Sequence, residues 1–284
     1  MKQLTEVVEE QDAMQSVVGL TNVFQGLASM RISQIKDQVL SSQRFFNELW
    51  AIYSQIRVSK RFGYGRDHND QVNDKELIIA ITAEGGFSGD IDQKLINWML
   101  KSYNTEKHDL VIIGHHGALQ LTQASVPFKR YFKLPQHDNN INVLPLVNLV
   151  KQYKSTTVFY QTYVTLMVQD IKKIELKGAI EEASKKARDN NMIISEENYI
   201  FEPSTESVVS HMENTMMEIT LTQTILDSKL AQYASRFRSM RSANDKASEM
   251  MQDLKWDYNR TRRYISDERL KEVVNSIDKV ELNA

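Results

Sequence analysis

The sequence predicts an α/β chain in which two long terminal helices pair as an antiparallel coiled coil, with a small α/β domain inserted between them. Three observations predict it. All four prolines (Pro127, Pro135, Pro145, Pro203) fall between positions 127 and 203, and the 81 residues from Ser204 to Ala284 contain neither Gly nor Pro. The C-terminal segment carries a sustained apolar repeat, and the middle of the chain alternates β-rich and helical patterns.

The N-terminal element comes first. Its first 62 residues contain only Gly19 and Gly26 as helix breakers. Gly costs a helix about 1 kcal/mol and Pro about 3, so a stretch this poor in both permits a long helix. Two short seams run along it, Val17-Leu20-Phe24-Leu27 and Phe46-Leu49-Tyr53-Ile56. The second sits one residue later than strict heptads require, as a nearly straight helix of period 3.6 produces.

A loop rich in Gly and Asp, Gly63 to Asp74, leads into the buried-strand pattern Glu76 to Thr82. Gly85-Gly86-Phe87-Ser88-Gly89 then turns the chain into an amphipathic helix, Ile91 to Tyr103. Asp109 to Gly114 reads as a second strand, Val143 to Tyr153 as a helix, and Thr156 to Val168 as a third β-rich run. That order describes a small Rossmann-like α/β domain with a partly parallel sheet and helices against it. Domain boundaries follow at 1–60, 61–203 and 204–284.

In the last segment Leu226, Leu230, Tyr233, Phe237, Met240, Asn244, Ala247, Met251, Leu254 and Tyr258 keep 4-3 spacing without a missed step. Over more than four heptads this marks a coiled-coil seam rather than one face of a globular helix. Asn244 and Ala247 interrupt it with a polar and a small residue, which reads as register setting and close helix approach. A fully helical 204–284 would reach roughly 120 Å.

Composition narrows the function. Of 284 residues, 41% are apolar and 25% charged, which suits a folded soluble chain, and a net charge of −2 gives no electrostatic drive towards nucleic acid or anionic lipid. No apolar run approaches the ~18 residues a bilayer span needs, and no signal-peptide core is present, so a cytoplasmic location is expected. The absence of Cys excludes disulfides, thiol catalysis and thiolate metal sites.

Candidate chemistry is sparse. The strand–GGFSG–helix turn could aim backbone N–H groups at a phosphate, but it matches neither GxGxxG nor the P-loop and lacks the P-loop Lys. His115-His116 follows a strand, yet adjacent histidines seldom share a metal and no third ligand stands at helical spacing. Ser88 lacks the GxSxG elbow. Glu181-Glu182 and Lys185-Lys186-Ala187-Arg188 read as solvated helix faces. No catalytic residue, cofactor or metal site is expected. The stretch Trp256 to Ile265 is less bland, since Arg260, Arg262 and Arg263 stand among three aromatics, and Arg pairs directionally with carboxylates.

Taken in order, four blocks resemble the gamma-subunit family of F-type ATP synthases. Ile81-Thr-Ala-Glu84-Gly-Gly86-Phe-Ser-Gly89-Asp-Ile-Asp92 is similar to the family's Ile-Thr-Ser-Asp-Arg-Gly-Leu-Cys-Gly-Gly-Phe-Asn. Tyr160-Gln-Thr-Tyr163 with Gln169 resembles its Tyr-Asn-x-Phe…Gln block, and Tyr199-Ile-Phe201-Glu202-Pro203 its Tyr-x-Tyr/Phe-Glu-Pro. Ser228 to Ala247, followed by Tyr258-Asn259-Arg260, resembles its C-terminal stretch. The departures are specific. Glu6, Glu9, Glu10 and Asp12 make acidic an N-terminus that is usually basic, and its core reads Gly26-Leu-Ala-Ser-Met30-Arg-Ile. Gly85 replaces an Arg and Ser88 a Cys, and the tip Arg262-Arg263-Tyr264-Ile265-Ser266 is one residue tighter than the family's Arg-Gln-x-x-Ile-Thr. The redox-regulatory Cys insert of chloroplast-type members is missing.

The resemblance implies a non-catalytic central rotor shaft that couples ATP synthesis or hydrolysis in a ring of alpha and beta subunits to ion translocation through a membrane c-ring. It implies an epsilon subunit as a further partner, and membrane association only through the complex, on the cytoplasmic side. It places Arg260, Arg262, Arg263 and Ser266 at the ring, and Tyr199, Phe201 and Glu202 at the base near the c-ring. Two other readings stay open: a coiled-coil adaptor with a Rossmann-like head and no rotary role, and a nucleotide-binding enzyme using the GGFSG turn.

Overall fold

A computed structural model describes residues 4–55, 73–135, 138, 141–176, 200 and 202–281. The elements are α1 (Leu4–Gln55), β1 (Asn73–Ile81), α2 (Ile91–Ser102), β2 (His108–Ile113), α3 (His115–Gln123), β3 (Arg130–Phe132), α4 (Leu144–Val150), β4 (Tyr153–Tyr163), β5 (Gln169–Glu175) and α5 (Thr205–Glu281). The chain divides into two compact units, Met1–Leu27 with Phe237–Ala284, and Ala28–Arg236.

The larger unit is built on a five-stranded sheet of order β3-β2-β1-β4-β5. β1, β2, β3 and β4 run parallel, and β5 returns antiparallel along β4. Side chains alternate across a strand, and both faces of this sheet are covered. Leu77, Ile79 and Ile81 point to the face that packs Leu146, Val147 and Val150 of α4 together with Met217, Leu221 and Ile225 of α5. Ile78 and Ala80 point to the opposite face, against Leu95, Ile96 and Met99 of α2 and Leu121 of α3. Each such fully buried aliphatic side chain contributes about 1.5–3 kcal/mol of transfer free energy.

Within this unit α5 has a second apolar face. Leu226 and Leu230 pack on Ile35 of α1, with Ile32, Val39 and Tyr233 beside them. Farther along α1, Ser42 and Phe45 share a cavity wall with Glu218, Ile219 and Thr222. Positions rising on α1 meet positions falling on α5, so the two helices are antiparallel.

In the smaller unit the C-terminal repeat keeps its expected register. Met240, Ala247 and Leu254 are buried, Phe237, Asn244, Met251 and Tyr258 are half-buried, and Thr261 and Ile265 extend the series. The N-terminal register is corrected by one residue. Of the expected seam Val17, Leu20 and Leu27 are exposed and Phe24 is half-buried, whereas Val7 and Thr21 are buried and Gln11, Met14, Val18 and Gln25 half-buried. The seam therefore carries polar residues that periodicity penalises, and the reason is a specific bond. Asn244 Nδ2 lies 2.9 Å from Thr21 Oγ1, 2.9 Å from Asn22 Oδ1 and 3.2 Å from the Val18 carbonyl. Polar pairing inside a helix seam fixes register, at some cost in stability.

The middle domain differs from the sequence reading in its boundaries. The helix expected over Val143–Tyr153 is shorter, because Tyr153 already opens β4. The third β-rich run does not continue to Val168; β4 ends at Tyr163, and β5 follows after a turn. Three elements (α3, β3 and β5) are additions. Most of the expected loop Gly63–Asp74, the charged stretch 181–188, and Phe46, Tyr53 and Ile56 of the second seam lie outside the described residues and side chains; Leu49 is half-buried.

Gly114 closes β2 with φ +99°, where its N–H donates to Phe132 O at 2.9 Å, and a Cβ there would stand 2.0 Å from Thr82 O. Gly114→Ala is expected to destabilise the fold by about 3 kcal/mol, combining overpacking with left-handed strain. A urea midpoint within error of wild type would show that the Gly114–Thr82 contact yields without cost.

Candidate functional site

The order β3-β2-β1-β4-β5 has a topological switch point. From β1 the chain builds outward through β2 and β3, then returns to lay β4 against the other side of β1. In open α/β sheets the crevice at the carboxyl ends of the two strands at such a point is where ligands bind. The GGFSG turn follows β1 there. In this chain, however, α5 fills the crevice.

Asp92, at the start of α2, is fully buried. Its Oδ1 accepts from Ala83 N at 3.2 Å and Gln161 Nε2 at 2.7 Å. Its Oδ2 accepts from Ser88 Oγ at 3.4 Å and pairs with His116 Nδ1 at 2.7 Å. A buried carboxylate needs such donors, since an unsatisfied one is strongly penalised. Because the Gln161 amide turns its N–H group to Asp92, its Oε1 must face the other way. There it accepts from Ser228 Oγ and, at 3.2 Å, from Gln232 Nε2, both on α5.

Three further bonds continue along the same helix face. Ser235 Oγ donates to Ser88 O at 2.7 Å, and Arg236 donates from Nε to Gly86 O and from a terminal nitrogen to Gly85 O, each at 3.2 Å. The turn that resembled a phosphate cradle thus spends carbonyls on a helix, and two of its neighbouring donors, Ala83 N and Ser88 Oγ, on Asp92. On the adjoining helix face the nearly fully buried Lys229 ammonium pairs with Asp138 and donates to Pro135 O at 2.8 Å.

The adjacent histidines have separate tasks. His115 N donates to Glu84 Oε2 at 3.3 Å, in a clasp that also holds Leu134 N and Tyr131 Oη. The His116 ring belongs to Asp92. That hydrogen bond pushes its pKa up, burial opposes the shift, and the Asp92 charge adds to it. Among the described residues no cluster of three His, Cys, Asp or Glu could hold a metal.

The residues expected at the ring lie elsewhere. Arg260, Arg262, Arg263 and Ser266 are all exposed on α5 in the smaller unit. Ser266 Oγ donates to Arg262 O at 3.0 Å, and among the described residues none of the three arginines makes an ion pair. At the base Glu202 is exposed, and Tyr199 and Phe201 lie outside the described residues. Sequence reasoning missed Asp92, Gln161, Ser228, Gln232 and Arg236 as a set. The only signal was that they fall inside the quoted family blocks.

A family model described as ATP synthase matches residues 3–278. An ATP synthase gamma chain of Cytophaga hutchinsonii is 22% identical over 98% of this chain and 99% of its own length. One from Staphylococcus aureus is 26% identical over 67% of each. Among solved structures, a chain of the central stalk and c-ring of Tetrahymena thermophila mitochondrial ATP synthase aligns with TM-score 0.57 at 16% identity, covering 79% of this chain and 99% of that one. A chain of the Euglena gracilis mitochondrial ATP synthase aligns with TM-score 0.55 at 12% identity, covering 94% and 95%.

On the same helix, burial raises the pKa of Asp227 from 3.8 to about 6, with the Lys172 ammonium opposing the rise. The folded state therefore holds this proton more tightly than the unfolded chain. Its favourable contribution is complete below pH 3.8 and is lost as pH rises through about 6. Asp227→Asn is expected to stabilise the protein by up to about 3 kcal/mol near pH 7.5. Below about pH 3.5 the gain should vanish. Urea titrations at the two pH values test this, and an equal gain at both would locate the effect in packing.

Proposed function

The chain belongs to the gamma-chain family of ATP synthases, and from that membership we propose that it is the central rotor shaft of a rotary F-type ATP synthase or ATPase. The observation that carries the reading is a family match running from residue 3 to 278, seconded by a curated gamma chain aligned end to end. In this role residues 1–60 and 204–284 supply the shaft and 61–203 the base. Alpha and beta subunits surround the shaft, and the base meets an epsilon subunit and the c-ring on the cytoplasmic side of the membrane. No described helix is long and apolar enough to cross a membrane.

The geometry supports a subunit without chemistry of its own. The crevice where a Rossmann-like sheet would bind nucleotide holds Ser228, Gln232, Ser235 and Arg236 of α5. The smaller unit supports a shaft enclosed by partners, because large apolar residues stand outward there: Leu20 at 59% exposure, Val23 at 60% and Trp256 at 77%. Apolar surface of this kind marks a binding face. A two-helix rod is asymmetric, so it touches three equivalent catalytic subunits differently. Rotating it exchanges their nucleotide affinities through those differential contacts.

Arg260, Arg262, Arg263 and Ser266 are assigned to the ring, and Tyr199, Phe201 and Glu202 to the c-ring and epsilon side. Unpaired, exposed arginines suit acidic loops of a partner. Arg262→Ala with Arg263→Ala preserves helix propensity, and removes charge-assisted contacts each worth about 1–3 kcal/mol. The purified complex should retain its subunit stoichiometry while ion-coupled ATP turnover falls. Turnover equal to wild type would reduce these arginines to a solvated face.

A further inference from the structure

We propose that Gln161, held by Asp92 and bonded to Ser228 and Gln232, is the coupling residue that keys the shaft helix to the head, so that torque passes between them without slip. The inference rests on the rotor reading above.

A helix held only by aliphatic packing has little resistance to rolling about its own axis, because apolar contact is non-directional. Met217, Leu221 and Ile225 hold α5 to the sheet in that way. Hydrogen bonds are directional, and here they stand along one face. Ser228, Gln232, Ser235 and Arg236 recur at helical spacing and meet Gln161 and the turn after β1. Lys229, about 100° further round the helix, is fixed to Asp138 and Pro135 O. Rolling α5 by one residue would withdraw Ser228 and Gln232 from Gln161, whose side chain is fully buried, and leave its carbonyl without a donor. An unsatisfied buried group of this kind costs far more than a slipped apolar contact.

Asp92 gives the key its polarity. Gln161 could present either end of its amide to α5. The Asp92 carboxylate accepts only, so it draws the Nε2 end and turns Oε1 towards the helix, where Ser228 and Gln232 both arrive as donors. Asp92 and Gln161 are positioning residues, remote from any chemistry.

The test uses the intact complex containing the full chain, reconstituted in vesicles, with ATP hydrolysis and ion pumping measured on one preparation. The ratio of pumping to hydrolysis is the readout, since loss of folded subunit lowers both and leaves the ratio unmoved. A wild-type complex that hydrolyses ATP without pumping removes the rotor reading itself, before any variant is compared. Gln161→Leu, apolar and unable to bond, should keep hydrolysis and lower the ratio several-fold. Ser228→Ala, which deletes one bond and almost no volume, should lower it less, and decides the matter if Gln161→Leu fails to assemble. Gln161→Glu places a carboxylate against Asp92 and should lower the ratio. Combining it with Asp92→Asn, which restores an amide–carboxylate pair in reverse, should recover part of the loss. A wild-type ratio in an assembled Gln161→Leu complex, or in Ser228→Ala where that complex does not form, overturns the proposal. Failure of the double variant to recover any coupling relative to Gln161→Glu overturns the polarity argument.

Discussion

A carboxylate with no access to water must find its donors within the fold, and Asp92 finds four from four places. Ala83 follows β1, Ser88 belongs to the turn, His116 lies in the first turn of α3 and Gln161 near the end of β4. One anionic side chain thereby sets the positions of two strand ends, a turn and a helix start. The polar contact between β4 and α5 depends on it, because Gln161 reaches α5 with an acceptor only while its donor end is engaged.

The same economy explains why a Rossmann-like sheet serves here without a ligand. A parallel sheet with a switch point leaves strand-end N–H and C=O groups facing a crevice, and these must be satisfied. Small molecules commonly do so; in this chain a helix does. Arg236 caps Gly85 and Gly86, Ser235 caps Ser88, and Gln161 meets two more side chains. The head is thus tied to the long helix by carbonyls of the turn that lines the crevice and by the Gln161 side chain.

Much of the fold was legible in the sequence. The Gly- and Pro-free C-terminus and its unbroken 4-3 repeat gave α5 and its register, and the Ile-rich strands β1 and β2 were plain from burial patterning. The N-terminal register was not, because Val17, Leu20 and Leu27 advertise a face that points outward, while Thr21 occupies the seam through its bond to Asn244. Periodicity counts apolar residues and cannot see a polar pair that satisfies itself. Edge strands β3 and β5 were missed for a related reason: one is only three residues long, and the other is mostly exposed, so neither carries a buried run. The site was hidden more deeply. Asp92, Gln161, Ser228 and Gln232 are ordinary polar residues, and only the fold shows that they converge. The exposed Arg262 and Arg263 stood out at once, since clustered charge needs no fold to be noticed.

The outward apolar residues of the smaller unit also bear on how the cell must handle this chain. Leu20, Val23, Met250 and Trp256 are half or more exposed. A copy made without the surfaces that cover them offers hydrophobic purchase to chaperones, proteases and other copies of itself. Until the apolar faces of α1 and α5 in that unit are covered, such a chain is open to aggregation and proteolysis, a burden carried by two helices at once.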